Sequence, residues 1–289
     1  MKIGIESCYG FGDCLMNAAV IKKLTEFVAP DQIDVAVGEG HQDAFYNIPN
    51  VNIIPLKGFR PLGKGMEYFK NNDYQIYFQM TQHVTWNMTT PLWTTPCLNA
   101  RNFCIEYGDA TWCDWETVGH FLEEFFFAGL IPATPKILPP IFIPTQEEIA
   151  NAVLKVNLEK PMIAIETGFT SNQSWLDDST VRMIYDHYKY SHEVLFVSKD
   201  NEFCSKLDGL TRRECVILLS YCEKFFNTCS GFFVASLSES IKSSHLQNIC
   251  MITEEAFKQY HFQHLQDEPS VTLAFNEDDL IKFLKNDKV

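Results

Sequence analysis

The chain is short of positive charge. It carries 23 Lys and Arg against 37 Asp and Glu, a formal net charge of -14 over 289 residues. A broad surface for a nucleic-acid backbone needs clustered excess cations, so no nucleic-acid partner is expected. An anionic small molecule is not excluded, because backbone N–H groups at a helix start hold a phosphate without a side-chain cation. No apolar run reaches the roughly 18 residues of a membrane span, so none is expected. The opening MKIGIESCYGFGD has one Lys, an acid at Glu6 and no long apolar stretch. It does not read as an export signal, and a cytoplasmic location is expected. No two of the 10 Cys are separated by only two residues, which argues against a zinc knuckle and for reduced, structural thiols. Gly10-Phe11-Gly12-Asp13 is neither G-x-G-x-x-G nor a P-loop. No Asp-x-Asp pair stands at the end of an expected strand.

What is present is a globular pattern, with 46% hydrophobic and 21% charged residues. The length fits about two domains. KIGIES reads as a buried strand, followed by a loop with Gly10 and Gly12. A helical pattern then starts at Asp13 or Cys14, with Leu15, Ala18, Ala19, Leu24 and Phe27 near the 3.6 period, and Pro30 stops it. Further strands are expected at 33–37, 52–56 and 73–80, and a helix at 119–131. Strand–helix–strand at this spacing implies βαβ units and a parallel sheet. Five prolines fall between positions 132 and 144, an extended, semi-rigid connector. Thr145 with Glu148 has capping-box spacing and opens a helix over 145–157.

The pattern then restarts. Ile3-Gly4-Ile5-Glu6-Ser7 aligns with Ile163-Ala164-Ile165-Glu166-Thr167, which fits two domains that each begin with the central strand of a Rossmann-like sheet. The second domain is expected to have helices at 180–190, 202–209, 232–240 and 278–286. Its further strands are expected at 193–197, 215–219, near 224–227 and at 249–252. Arg212-Arg213 reads as a solvated turn. The fold class is thus α/β, with two Rossmann-like domains facing across a cleft. The first spans 1–144, including the connector at 132–144, and the second spans 145–289. Ligands of such sheets sit at the carboxyl ends of the strands.

Several residues stand out. Asp13, between strand and helix, reads either as an N-cap or as a general base directed at the ligand. The loop Thr228-Cys229-Ser230-Gly231 opens a helix and offers the N–H groups of Ser230, Gly231 and Phe232 to an anion. Glu6 and Glu166 follow apolar strands in parallel positions and either line the ligand site or accept backbone hydrogen bonds. Four of the five Trp (Trp86, Trp93, Trp112 and Trp115) fall close together in the first domain, and Trp175 lies in the second. Their readings are packing or stacking on a sugar face. Residues 81–101 read as a long binding loop. The His residues are scattered, without ligand spacing.

These segments resemble a known family. GFGDCLMNAAVIKKL followed by IDVAV, then NDYQIYFQ, then HFLEEFFFAGLIPATPKILPPIFIPTQEEI, PMIAIETGFTSNQSW and KFFNTCSGFFVASL, looks like glycosyltransferase family 9, the lipopolysaccharide heptosyltransferases, in order over most of the chain. The resemblance implies a GT-B fold and inverting transfer from a nucleotide-sugar donor to a glycan or glycoconjugate acceptor, with no metal or other cofactor. It implies Asp13 as catalytic base. For the donor it implies Thr167, Gly168, Asp200, Ser230 and Gly231, to which Gly12 and Phe232 at the helix starts and Trp175 in the second-domain loop are added from their positions, and for the acceptor it implies the side of the first domain with Gln79, Trp86 and Trp93. The chain departs from the family pattern at Cys229, where Asp is usual, and at Phe233 and Val234, where a His is common. Gln173 and Ser174 replace the basic residue before Trp175. The alternatives are a transferase-like protein that binds nucleotide or glycan without chemistry, and a nucleotide-sugar epimerase on the same scaffold.

Overall fold

The computed structural model describes residues 2–7, 10–28, 33–58, 64–70, 72, 74–80, 101–104, 139–167, 173–197, 209–243, 245–259, 265–266 and 268–287. The expected helix at 119–131, all but Gly209 of the expected helix at 202–209, and connector residues 132–138 lie outside them. The chain divides into two compact units, Met1–Ile143 and Pro144–Val289.

The first unit contains β1 (Ile3–Ser7), α1 (Phe11–Thr25), β2 (Ile33–Gly38), a single 3-10 turn (Gln42–Phe45), β3 (Val51–Leu56), α2 (Lys64–Lys70), β4 (Ile76–Gln79) and β5 (Arg101–Cys104). Its strands run in the order β3-β2-β1-β4-β5, every pair parallel. A parallel sheet is covered on both faces, and β1 and β2 are accordingly buried at every residue. α1 is buried at every position from Phe11 to Ile21, which is why its apolar pattern runs around the helix rather than along one stripe. It starts two residues earlier than the periodicity suggests, because Phe11 and Gly12 already belong to its first turn.

α2 covers the other face of β1 at unusually short range. A Cβ on Gly4 would lie 2.8 Å from the Phe69 ring, and one on Gly65 would lie 2.8 Å from the Glu6 side chain. The end of the connector is held to this unit. Ile141 N–H donates to the Leu15 carbonyl at 3.3 Å, and Asn47 Nδ2 donates to the Ile143 carbonyl at 2.7 Å.

The second unit contains α3 (Gln146–Val153), β6 (Met162–Glu166), α4 (Asp178–Tyr188), β7 (Glu193–Val197), α5 (Arg212–Leu219), β8 (Cys222–Asn227), α6 (Gly231–Ser236), β9 (Gln247–Met251), α7 (Glu254–Gln259), β10 (Val271–Ala274) and α8 (Glu277–Asn286). The strand order is β10-β9-β8-β6-β7, again all parallel. β1 is central in its sheet, but β6 is second from the edge, so the expected equivalence of the two opening strands fails in position. The shift arises because β8, β9 and β10 all add on one side of β6, and β10 was not anticipated.

Residues 215–219 are helical, not a strand. The run Cys-Val-Ile-Leu-Leu suits either state, and a capping box settles it: Glu214 N–H donates to Thr211 Oγ1 at 3.2 Å, while Thr211 N–H donates to Glu214 Oε2 at 2.7 Å. Thr145 and Glu148 form the expected box at α3, at 3.1 and 2.8 Å. The two boxes are cross-linked. Arg213 is buried, not in a solvated turn, and its guanidinium grips Glu148 through Nε at 2.5 Å and Nη2 at 3.0 Å. Lys155 donates to both Glu214 oxygens at 2.8 and 2.9 Å. Each acid therefore caps its own helix and pairs with the other. Among the described residues no helix is long and apolar enough to cross a membrane.

Two stability outcomes follow for denaturation monitored by circular dichroism. Thr145→Ala removes one cap and costs about 1 kcal/mol. Glu148→Ala also removes the carboxylate that the buried Arg213 guanidinium grips and costs about 3 kcal/mol. His192 supplies a pH dependence. Burial lowers its pKa from the ordinary value, against the opposing pull of Glu223. The unfolded chain therefore binds the proton more readily. This contribution is complete above about pH 6.5 and is lost as pH falls toward the folded value. His192→Gln should flatten the fall in melting temperature over that window, and an unchanged slope would remove His192 as its source.

Candidate functional site

Polar side chains gather at the carboxyl ends of both sheets. In the first unit, β1 ends at Ser7 and α1 opens behind Gly10, whose backbone is extended. Gly10, not Asp13, is the N-cap. Asp13 is the third helical residue, 5% exposed, and its Oδ2 accepts the Gly10 N–H at 3.0 Å. The carboxylate thus reaches back over the helix start, the place where other Rossmann-like sheets seat a phosphate. Gly12 lies beside it in the same first turn, buried.

One turn further, Asn17 is buried beneath this point. Its Nδ2 donates to Ser7 Oγ at 2.7 Å and to the Met80 carbonyl at 3.4 Å. The Ser7 hydroxyl donates in turn to Cys14 Sγ at 3.8 Å. Sequence reasoning passed over Asn17. The available signal was a lone amide within the apolar run Leu15–Ile21, four residues after Asp13. Gln79 ends β4 and pairs in register with Glu6, but its side chain lies outside the described residues. So do Trp86 and Trp93. Glu6 faces α2, where its Oε2 accepts the Tyr77 hydroxyl at 2.5 Å.

In the second unit, Glu166 ends β6 fully buried. Its Oε2 accepts both the backbone N–H of Thr228, at 2.9 Å, and the Thr228 hydroxyl, at 2.8 Å. These two hydrogen bonds come from the loop after β8. Asn227 holds the next residue, its Oδ1 accepting Cys229 N–H at 3.1 Å, and its Nδ2 leans on Asn248 at 3.4 Å. Cys229 adopts a left-handed backbone, φ 56°, which turns the chain into α6. Its thiol, hydrogen-bonded to that of Cys250 and buried, is held well above its ordinary pKa and is uncharged.

Ser230 is the N-cap of α6, and its hydroxyl accepts Phe232 N–H at 3.1 Å. Of the three N–H groups singled out in the sequence, that of Phe232 is therefore engaged by the cap. Thr167 has its N–H and hydroxyl on the Val197 carbonyl at 3.1 and 3.3 Å. Trp175 donates its indole N–H to the Ala274 carbonyl at 2.9 Å and packs its ring on the core, beside the ends of β9 and β10. The structure thus brings Thr167, Ser230, Gly231, Phe232 and Trp175 to one edge of one sheet. Gly168 and Asp200 lie outside the described residues. Among the described residues no three His, Cys, Asp or Glu side chains converge as a metal site.

No protein-family model matches the chain, and no curated protein matches it by sequence. Solved structures do. The E. coli ADP-heptose lipopolysaccharide heptosyltransferase II is 17% identical, with a TM-score of 0.54 over 93% of this chain and 100% of that one. The E. coli heptosyltransferase WaaC, solved with ADP, is 11% identical, with a TM-score of 0.61 over 99% of this chain and 97% of that one. A family 9 glycosyl transferase from Veillonella parvula is 9% identical, with a TM-score of 0.61 over 100% of this chain and 90% of that one. The chain has the α/β fold of these enzymes, two Rossmann-like units of the GT-B class.

Proposed function

We propose that the chain is a family 9-like glycosyltransferase. It moves a sugar from a nucleotide-sugar donor to a glycan or glycoconjugate acceptor in the cytoplasm, with inversion and without a divalent metal. The observation that carries this reading is the fold likeness to WaaC, solved with ADP, over nearly the whole of both chains. Asp13 is the general base. Its carboxylate takes the proton of the acceptor hydroxyl as that oxygen attacks the anomeric carbon and the nucleoside diphosphate leaves. The second unit binds the donor through the Ser230 and Gly231 backbone, with Thr167, Gly168 and Asp200 beside it. Trp86, Trp93 and Gln79 belong to the acceptor side. Trp175 supports the donor side through packing, given the hydrogen bond of its indole to Ala274.

A second reading, binding without transfer, draws on Glu166 and Cys229. A buried carboxylate engages two donors of the loop that a diphosphate would approach, and the Cys229 thiol adds no positive charge. Both features weaken stabilisation of the leaving group.

Asp13→Asn keeps an oxygen to accept the Gly10 N–H, so the fold and donor affinity should persist. Transfer from a panel of nucleotide sugars should fall by about 10²- to 10⁴-fold. Equal turnover in the variant would end the assignment, and transfer abolished by EDTA would end metal independence. A melting-temperature screen with nucleoside diphosphates, ADP first, should show stabilisation of about 2.7 kcal/mol at a hundred times the dissociation constant. Stabilisation without any turnover of donor would favour the second reading.

A further inference from the structure

The first unit's sheet reverses its winding at β1. Strands β2 and β3 add on one side of it, β4 and β5 on the other. The crevice between the carboxyl ends of β1 and β4 is the switch point, where open α/β sheets take their ligands. Asn17 forms its floor. It is 1% exposed, and its amide bridges the two strands, donating to Ser7 Oγ at the end of β1 and to the Met80 carbonyl just after β4. Its other end is unsatisfied: Asn17 Oδ1 is buried with no hydrogen-bond partner among the described residues. A buried carbonyl without a donor is destabilising, and few native groups are left so.

The groups around it define what would complete it. Asp13 stands four residues earlier on the same helix face, about 6 Å away between Cβ atoms. The Met80 carbonyl is an acceptor, and the Ser7 hydroxyl accepts from Asn17 while donating to Cys14. Asn17 Oδ1, the Asp13 carboxylate and a peptide carbonyl together present acceptors. Such a set repels a phosphate and selects a ligand that brings donors without negative charge.

We propose that Asn17 is a specificity-determining residue whose Oδ1 takes a hydrogen bond, directly or through one water, from a hydroxyl of a neutral, polyhydroxylated ligand in the β1/β4 crevice. Identifying that ligand with the sugar acceptor rests on the proposed transfer; the binding itself does not. Asn17 recognises a hydroxyl, and Asp13, one turn above, is left to act on another.

The test uses the full chain with asparagine labelled by nitrogen-15. It is titrated with methyl glycosides of the common hexoses and, as the contrasting probe, with inorganic phosphate. The Asn17 side-chain resonance should move with a glycoside and not with phosphate. Asn17→Leu, which has no acceptor, should weaken that glycoside by roughly five- to tenfold. Asn17→Asp, which keeps an acceptor oxygen, should stay nearer the unaltered chain. Equal affinity in Asn17→Leu, a response to phosphate instead, or no glycoside that moves the Asn17 signal would each overturn the proposal. If Asn17→Leu does not fold, the titration of the unaltered chain decides alone. A chain that binds a glycoside through Asn17 yet transfers no sugar would keep this inference and remove the enzymatic reading. Transfer with an unchanged acceptor KM in Asn17→Leu would do the reverse.

Discussion

A parallel sheet covered on both faces leaves little room for polarity. Its peptide groups are engaged in the ladders, and its side chains are enclosed by helices on either side. Polar groups survive only where strands end and the following loop offers partners. Glu6 and Ser7 close β1, Glu166 closes β6 and Asn227 closes β8, each almost or wholly buried. Each hydrogen-bonds to a neighbouring element. The chemistry proposed for this chain grows out of that restriction, since the edge is where loops must be tied down and where ligands can be met.

The two edges have opposite characters despite a shared strand pattern. In the first unit an acid occupies the helix start itself, and the adjoining groups are mainly acceptors. In the second unit Glu166 holds Thr228, and the turn after it enters the helix α6 with Ser230 as its N-cap. Under the proposed transfer, the first edge meets the group that gives up a proton and the second the group that carries negative charge. A transfer reaction asks for both. Both units end the opening strand with a buried glutamate, Glu6 or Glu166; the first unit adds a carboxylate, Asp13, on the helix start.

Much of the fold was legible in the sequence because it rests on local patterns. Short apolar runs marked β1, β2, β6 and β7, and the Thr145 capping box marked α3. The misreading at 215–219 came from an apolar run without periodicity, where the preceding Thr-x-x-Glu was the better guide. α7 and β10 are short, and Val271–Ala274, though preceded by the turn residues Pro269-Ser270, is too short a run to stand out as a strand. The site divides in the same way. Asp13 was found through its glycine loop, although the cap proved to be Gly10. The pairing of Glu166 with Thr228 spans 62 residues, and that of Asn17 with Met80 spans 63, distances over which no local spacing operates.

Gly4 and Gly65 carry a further consequence. Gly4 and Glu6 lie on one face of β1, and Gly65 and Phe69 lie four residues apart on α2, so ring, carboxyl and two missing side chains interlock like a key. Helix and strand on that side have no slack, and a methyl group at either glycine displaces a buried neighbour. On the α1 side the contacts are largely aliphatic and turn polar where Asn17 meets Ser7. Among descendants of this chain, drift should therefore accumulate unevenly, more readily at the aliphatic positions beneath α1 and only through paired changes beneath α2.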